Sequence, residues 1–407
     1  MPADPTRARS PIQLVQIIDR LNVGGPTPYL LFLSRALESR GYRSIVVKGQ
    51  VAPGEAEMED VIRRSGIQPL EVRGFSRAIV PIRDFRVLVA LYRLFRRVRP
   101  AIVHTHKSKA GVVGRIAAWL AGVPVTLHTF HGLVFKGYFS AWKTRLIVLV
   151  ERLLALRTDV LVAVSELQRD ELLADRIAAP ARICTVPLGV DLEPFLNRRR
   201  CDAGFREELG FGASTRLVGI VARLVPIKGV DIFLAAAEQV VGAVPDVRFV
   251  VIGDGELRAD LESVARTRML RGRVRFTGFR NDMARIYGSL DLSVLSSHHE
   301  GLPVALLESV ACGCYVVASR VGGVPDLLRS ERIGLMVAPG DPDALTGGIL
   351  RALRERRGIA DEERRKVVES YGLARLAQDF SHLYYKLSEN KRAGGGSPGD
   401  CWEGKYA

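Results

Sequence analysis

Cysteine is scarce and unpatterned in this chain. Its 407 residues include five, at positions 184, 201, 312, 314 and 401. Their odd number and scatter give neither a disulfide framework nor a zinc spacing. A reduced compartment is the simplest setting. Cys312 and Cys314 stand too close for a CxxC motif and read as buried packing. Long apolar runs are lacking too. A membrane-crossing helix needs about 20 consecutive apolar residues. The most apolar stretch, Leu146 to Leu156, is broken by Glu151 and Arg152. The opening MPADPTRARSP has no apolar core of the kind a secretory signal needs. Residues 1–10 therefore read as a disordered lead, and the Gly-rich residues 391–407 as a disordered tail. The expected location is cytoplasmic.

Acidic residues are scarce in one region. Between Arg73 and Arg157 sixteen lysines and arginines face only Asp84 and Glu151. The chain carries a net charge of +15, and this segment holds most of the excess. A field of one sign calls for an anionic partner there: a membrane surface, nucleic acid or a phosphorylated substrate.

What is present is ample apolar material, 47% of residues, in a chain long enough for two or three domains. Short apolar runs alternate with helical patterns. IQLVQII, RSIVVKG, AIVHTH, VPVTLHTFHG and TDVLVAVS read as strands with helices between them. A second series follows: TRLVGIVA, VRFVVIG, RVRFTG, LDLSVLS, YVVAS and LMVAP. Such alternation implies parallel sheets covered by helices on both faces. The expected architecture is α/β, two doubly wound units facing across a cleft, with ligands at the carboxyl ends of the strands. Residues 11–196 form the first unit and 197–375 the second. A last helix spans 376–390.

Several loops at strand ends carry chemistry. Gly24 and Gly25 follow the first strand, where absent side chains let backbone approach a ligand and a helix N-terminus attracts anions. An ordinary tight turn explains them equally well, since the spacing is not GxGxxG. Arg223 and Lys228 flank a loop after a strand, and Gly229 opens the next helix. Two cations with helix-end amides suit a diphosphate; the plainer reading is two solvated surface charges. Gly253-Asp254-Gly255 lacks a third glycine and reads as a strand-to-helix turn. Among the histidines, His104 and His128 read as structural, His298 and His299 as loop residues. His131, before Gly132 at a strand end, is better placed for a ligand. In SSHHEGLPVALLESVACG, Glu300 lies in a loop and Glu308 inside the following helix, with Pro303 suited to its first turn. Glu308 has apolar neighbours on nearly all sides and so needs a partner.

These segments together resemble the family-4 retaining glycosyltransferases of the GT-B fold. The marks are the Gly24-Gly25 loop, HTFHG, AVS, PLGVD, ARLVPIKG, GDGE, RFTGF, the E-x7-E element Glu300/Glu308, VGGVPDLL and GLMVAPGDPDAL. They run in order from Ile12 to about Leu387. The resemblance implies a nucleotide-sugar donor, usually a UDP-sugar, bound by the second unit. It places Arg223 and Lys228 on the diphosphate and Glu308 on the ribose hydroxyls. Glu300 would meet hydroxyls of the donor sugar, aided by the backbone of Gly301 and Leu302. The turn Gly278-Phe279-Arg280 would border the base. Gly24 and Gly25 would approach the diphosphate, and His131 the donor sugar and acceptor. The last helix would cross back to the first domain. Charge developing on the departing diphosphate would be stabilised by Arg223, Lys228 and helix-end amides, so no metal or other cofactor is expected. Retention would come from reaction on one face, the leaving phosphate helping to deprotonate the acceptor; no nucleophile is assigned.

Three positions depart from the family pattern. GGPTPYLL lacks the basic or histidine residue often found after Gly-Gly. Cys314-Tyr315 replaces a small residue and proline. Asp326 stands where glutamate is common.

The basic first half adds aromatics: Phe135, Tyr138, Phe139 and Trp142. Together with Arg93, Arg96, Arg97 and Arg99 they suit an anionic membrane surface. The expectation is an enzyme peripheral to the inner face of the cytoplasmic membrane, extending a glycan or polyprenyl-linked acceptor. The plainer alternative is a basic domain whose aromatics are core. A UDP-sugar epimerase would share the fold, and a nucleic-acid-binding protein would explain the charge but not the paired glutamates.

Overall fold

The structure is a computed structural model. It describes residues 11–22, 24–51, 57–132, 141–197, 203–212, 215–266, 268–355 and 358–393. The chain divides into two compact units. One runs to Gly189 and resumes at Leu373; the other is Val190–Gly372.

The first unit holds a seven-stranded parallel sheet. Its strands are β1 (Ile12–Ile18), β2 (Tyr42–Lys48), β3 (Leu70–Glu71), β4 (Ile102–His106), β5 (Val125–Thr129), β6 (Val160–Ala163) and β7 (Ile183–Thr185). They lie in the order β3-β2-β1-β4-β5-β6-β7. Ile18 of β1 pairs with Lys48 on one side and His106 on the other. The strands are nearly continuous apolar runs because helices cover both faces. Strands β4 and β5 depart from this rule: His104, Thr105, His106, Thr126, His128 and Thr129 are all buried.

The second unit repeats the plan with six parallel strands. They are β8 (Arg216–Val221), β9 (Val247–Ile252), β10 (Val274–Gly278), β11 (Leu292–Leu295), β12 (Tyr315–Ser319) and β13 (Gly334–Val337). Their order is β10-β9-β8-β11-β12-β13. Val218 of β8 pairs with Phe249 and with Leu292. Each sheet therefore reverses direction once, between β1 and β4 and between β8 and β11. Loops leaving the two strands at such a switch point diverge and open a crevice.

Helix boundaries follow the local chemistry. The helix Pro26–Glu38 starts on proline, whose missing N–H costs nothing there. The basic helix Pro81–Val98 starts the same way and ends at Arg99, in left-handed conformation just before Pro100. Ser165 caps the helix Glu166–Ala174 by accepting from the Gln168 amide. Shortly after residue 197, the expected start of the second unit, lies a helix, Ala203–Glu208, whose Phe205 is fully buried. Cys312 and Cys314 are free and buried.

The last helix, Leu373–Arg392, belongs to the first unit. It buries Leu376, Phe380, Leu383, Tyr384 and Leu387, spaced at three or four residues as one face requires. Tyr42 Oη donates to the Ser381 carbonyl at 3.1 Å. Tyr384 Oη lies 2.7 Å from His104 Nδ1. Gly189 leaves room for this helix, since a Cβ there would lie 2.4 Å from that of Leu376.

Candidate functional site

In the second unit the loops leaving β8 and β11 meet at the switch point. Lys228 Nζ lies 2.6 Å from Glu300 Oε1. The same oxygen accepts from Ser297 Oγ at 2.7 Å. Glu300 Oε2 has no partner among the described residues. One carboxylate oxygen is thus fixed while the other remains able to accept a hydroxyl. Two backbone links hold the loops together. The His298 amide donates to the Ile227 carbonyl at 2.9 Å, and Ser296 Oγ to the Gly229 carbonyl at 2.6 Å. Gly229 sits at φ +57°, and a Cβ on it would lie 2.2 Å from the Ser296 carbonyl oxygen. Only glycine fits there.

A third loop supports Glu300 from beneath. After β12, Gly322 adopts φ +53°, and a Cβ on it would lie 1.8 Å from the Glu300 carbonyl oxygen. The Gly323 amide donates to the Gly301 carbonyl at 2.5 Å. Ser297, Gly322 and Gly323 are contributors that residue-by-residue reading missed. The available signal is the Gly-Gly pair of VGGVPDLL, in the loop after β12, which the sequence marks as a motif without tying it to Glu300. Leu302 is buried, and Pro303 stands just before the helix Val304–Ala311, not within its first turn. That helix begins with no side-chain cap and no acid in its first turn. Its first amides and positive dipole end suit an anion. Arg223, exposed in the β8 loop, makes no ion pair among the described residues.

Glu308 lies one helical stretch on. Burial raises its carboxyl to about 8, opposed by the Tyr287 hydroxyl. The residue keeps some exposed surface, yet its carboxyl is largely desolvated. Tyr287 Oη is buried and closes no hydrogen bond of normal geometry among the described residues. The two groups therefore interact without a full bond. Burial thus favours the neutral acid over the carboxylate in the fold. No hydrogen bond or ion pair joins Glu300 to Glu308 among the described residues.

Gly278 ends β10 and Arg280 follows it. Gly278, at φ +71°, accepts from the Gly253 amide at 2.9 Å. The Gly253-Asp254-Gly255 turn packs on the Arg223 loop, with the Leu224 amide donating to the Asp254 carbonyl at 2.9 Å. Arg280 is engaged elsewhere: it donates to Glu208 at 2.6 Å and to Asp282 at 2.8 Å, and lies over the Phe205 ring. Its charge is matched within the protein, and no contact brings it to Lys228 or Glu300.

In the first unit, Gly24 has φ +147°, and Gly25 precedes the helix Pro26–Glu38. Thr27 Oγ1 donates to the Asn22 carbonyl at 2.7 Å, and Lys107 Nζ, from the loop after β4, to Asn22 Oδ1 at 2.9 Å. His131 follows β5 and stands beside Tyr29, ring centroids 4.9 Å apart. Burial, then the charge of Lys107, lowers the His131 imidazole to about 3. Burial and His131 lower His104 to about 3 as well. His104 is held by Tyr384 and by Thr129, each at 2.7 Å, as a structural histidine. His128 meets Thr105 Oγ1 at 2.9 Å.

The basic surface is also resolved in part. Phe135, Tyr138 and Phe139 lie outside the described residues. Trp142, Leu146, Leu149, Leu153 and Leu156 are each more than half exposed. Their spacing of four and three residues puts them on one face of the helix Ala141–Ala155 and its end. The opposite side buries Glu151, which pairs with Arg115 at 2.6 Å. Trp119 and Leu120 are exposed as well, with Arg157 over the Trp119 ring. Trp142 is therefore not core. No helix among the described residues is long and apolar enough to cross a membrane.

Comparison with known proteins gives a consistent picture. Residues 215–355 match the family described as glycosyl transferases group 1, and residues 24–189 the glycosyl transferase 4-like domain. A UDP-Gal:alpha-D-GlcNAc-diphosphoundecaprenol alpha-1,3-galactosyltransferase of Escherichia coli is 32% identical over 324 residues, 77% of this chain and 83% of the relative. A D-inositol 3-phosphate glycosyltransferase of Actinosynnema mirum is 27% identical over 87% of this chain and 93% of its own. Among solved structures, Anabaena Alr3699/HepE in complex with UDP and glucose superposes with a TM-score of 0.77 at 20% identity, over 91% of this chain and 98% of its own. Sucrose-phosphate synthase from Thermosynechococcus elongatus gives 0.74 at 22% identity, over 92% and 99%. Two doubly wound units, glycine-shaped loops at each switch point and both family matches thus agree: this chain belongs to the family-4 glycosyltransferases of the GT-B fold.

Proposed function

We propose that the chain moves a sugar from a UDP-sugar to a lipid-linked glycan acceptor, with retention and without a metal. The single observation that carries the donor half is the Lys228–Glu300 pair at the switch point of the second sheet. A cation for phosphate and a carboxylate oxygen for sugar hydroxyls stand side by side there. The acceptor half rests on the Escherichia coli relative, which by its name uses UDP-Gal and a GlcNAc-diphosphoundecaprenol.

In this reading Lys228 and Arg223 neutralise the diphosphate, with the open helix start at Val304 and the Gly301 and Leu302 backbone adding amides. Glu300 Oε2 accepts a sugar hydroxyl. Glu308 meets the ribose hydroxyls, its buried acid able both to donate and to accept. The Gly278 turn borders the base, and Arg280 shapes that turn through Glu208 and Asp282 instead of touching the donor. In the first unit, Gly24, Gly25 and His131 are further proposed ligand contacts. As the bond from the anomeric carbon to the phosphate oxygen breaks, the acceptor oxygen bonds to the same face of that carbon. Its proton passes to the departing phosphate. Negative charge grows on that phosphate in the transition state, where fixed cations and amides stabilise it most. No further cofactor enters this scheme.

The apolar face around Trp142 and Leu146, set among Lys143, Arg145 and Arg152, supports a peripheral position on an anionic membrane, where a polyprenyl-linked acceptor resides. A panel of nucleotide sugars, scored for calorimetric binding and for transfer to a polyprenyl-diphosphate sugar, tests the whole reading. Tight binding of UDP and turnover of a UDP-sugar are expected. A chain that binds no nucleotide overturns it, and conversion of the free UDP-sugar to an epimer would replace it.

A further inference from the structure

The first unit contains a chain of hydrogen bonds whose direction is determined at one end. Ser34 Oγ lies 2.8 Å from the Leu30 carbonyl oxygen. A carbonyl has no proton, so Ser34 donates. The Gln16 Nε2 amide, 2.7 Å from Ser34 Oγ, must then donate to it. That turns Gln16 Oε1 toward His106 Nε2 at 3.3 Å. An amide oxygen only accepts, so His106 carries its proton on Nε2. Burial keeps His106 neutral, which leaves its Nδ1 with a lone pair. His131 Nε2, 3.0 Å from that Nδ1, must be the donor. The remaining atom, His131 Nδ1, is left as a bare acceptor. It is buried and has no partner among the described residues.

We propose that Gln16 and His106 are positioning residues that lock His131 in its Nε2–H tautomer, so that Nδ1 accepts a hydrogen bond from a sugar hydroxyl during transfer. This rests on the glycosyl-transfer reading above. Gln16 sits in β1, inside an apolar run, where a polar side chain needs a reason. Ser34, on the facing helix, supplies the anchor. The lock matters because the opposite tautomer would present an N–H at the same place, which can only donate to the hydroxyl oxygen and gives the hydroxyl proton no acceptor. Which nitrogen of an imidazole bears the proton is set by what the other nitrogen touches.

Nitrogen-15 NMR of the histidines in the full-length, ligand-free protein reads the tautomer directly. The wild type is expected to show His131 with a protonated Nε2 and a bare Nδ1. Ser34→Ala frees the Gln16 amide to turn over, and Gln16→Met removes the acceptor for His106. Both are expected to give mixed His131 tautomers while the His104 signals stay native, which shows that the fold is kept. Turnover of the UDP-sugar should fall about tenfold in kcat with its KM little changed, the pattern of a hydrogen bond made only in the transition state. His106→Asn places Oδ1 near the old Nδ1 and should restore more activity than His106→Leu. A His131 that is protonated on Nδ1, or whose tautomer ignores both substitutions, overturns the lock. Mixed tautomers with unchanged kcat overturn its role in transfer. A wild type with the expected tautomer that binds no nucleotide sinks the glycosyl-transfer reading instead.

Discussion

Lys228 Nζ and Glu300 Oε1 stand 2.6 Å apart, joining the loops that leave β8 and β11. The contact links residues 72 positions apart in the chain. It exists because β8 and β11 are neighbours in a sheet whose order reverses between them.

Lys228→Ala should therefore do two things. It removes a cation from the proposed diphosphate site and leaves Glu300 without its ionic partner. Turnover of the UDP-sugar should drop by about 10²–10³, the scale seen when one preorganised charge-stabilising donor is lost. Lys228→Arg should recover part of it. Near-normal turnover in the alanine variant would remove Lys228 from the site.

Gly322→Ala tests the support beneath Glu300. The new Cβ would meet the Glu300 carbonyl oxygen at 1.8 Å, in a backbone conformation that disfavours side chains. The Glu300 loop must shift. UDP-sugar turnover should fall at least as far as in Lys228→Ala, and thermal unfolding should come several degrees earlier, the scale of about 1–3 kcal/mol. Wild-type kinetics in this variant would show that the glycine pair has no bearing on the site.

Glu308 gives a pH prediction. Its folded carboxyl titrates near 8, raised by burial from an ordinary value of 4.5. A group raised on folding contributes its stability below its unfolded value and loses it as pH rises through the folded one. The ligand-free protein should thus lose stability between about pH 4.5 and 8 relative to Glu308→Gln, whose side chain does not titrate. Chemical denaturation at pH 5, 6.5 and 8 measures this. Parallel curves for the two proteins would mean the carboxyl is ionised in the fold.

How much of this was legible in the sequence follows from distance along the chain. Glu300 could be placed at a strand end because LDLSVLS reads as a strand by itself. The strand IQLVQII, β1 in the structure, is legible for the same local reason. The Gly322 support is not, because it depends on β12 lying beside β11. The resemblance puts Arg280 in a turn bordering the base, and the structure turns its side chain to Glu208 and Asp282. Its partner Glu208 lies 72 residues away in the chain, so the pairing could not be foreseen. Gln16 was invisible: one polar residue in an apolar strand carries no pattern, and its meaning comes from Ser34 and His106 on other elements.

Glu151 interrupts an apolar stretch, and the structure shows why it can. It is almost wholly buried and pairs with Arg115 at 2.6 Å, itself almost wholly buried. Removing one partner leaves an uncompensated buried charge. Glu151→Ala should destabilise the first unit by about 3–5 kcal/mol. The double change Arg115→Met with Glu151→Leu should recover much of that loss. Equal stability of the single variant and the wild type would mean that the pair is solvated.

The exposed stripe on the helix Ala141–Ala155 bears on where the enzyme works. A monomer in water gains nothing from five large apolar side chains on one helical face. Their neighbours Lys143, Arg145 and Arg152 favour anionic headgroups over a neutral surface. Trp142→Glu combined with Leu149→Glu places two negative charges on that face without touching the buried Glu151 side. Wild-type protein should cosediment with vesicles containing anionic phospholipid, less with neutral ones, and the double variant with neither. Raising the salt concentration should weaken the wild-type binding, because the headgroup attraction is screened. Equal recovery with neutral and anionic vesicles, or full binding by the double variant, would place the membrane contact elsewhere or remove it.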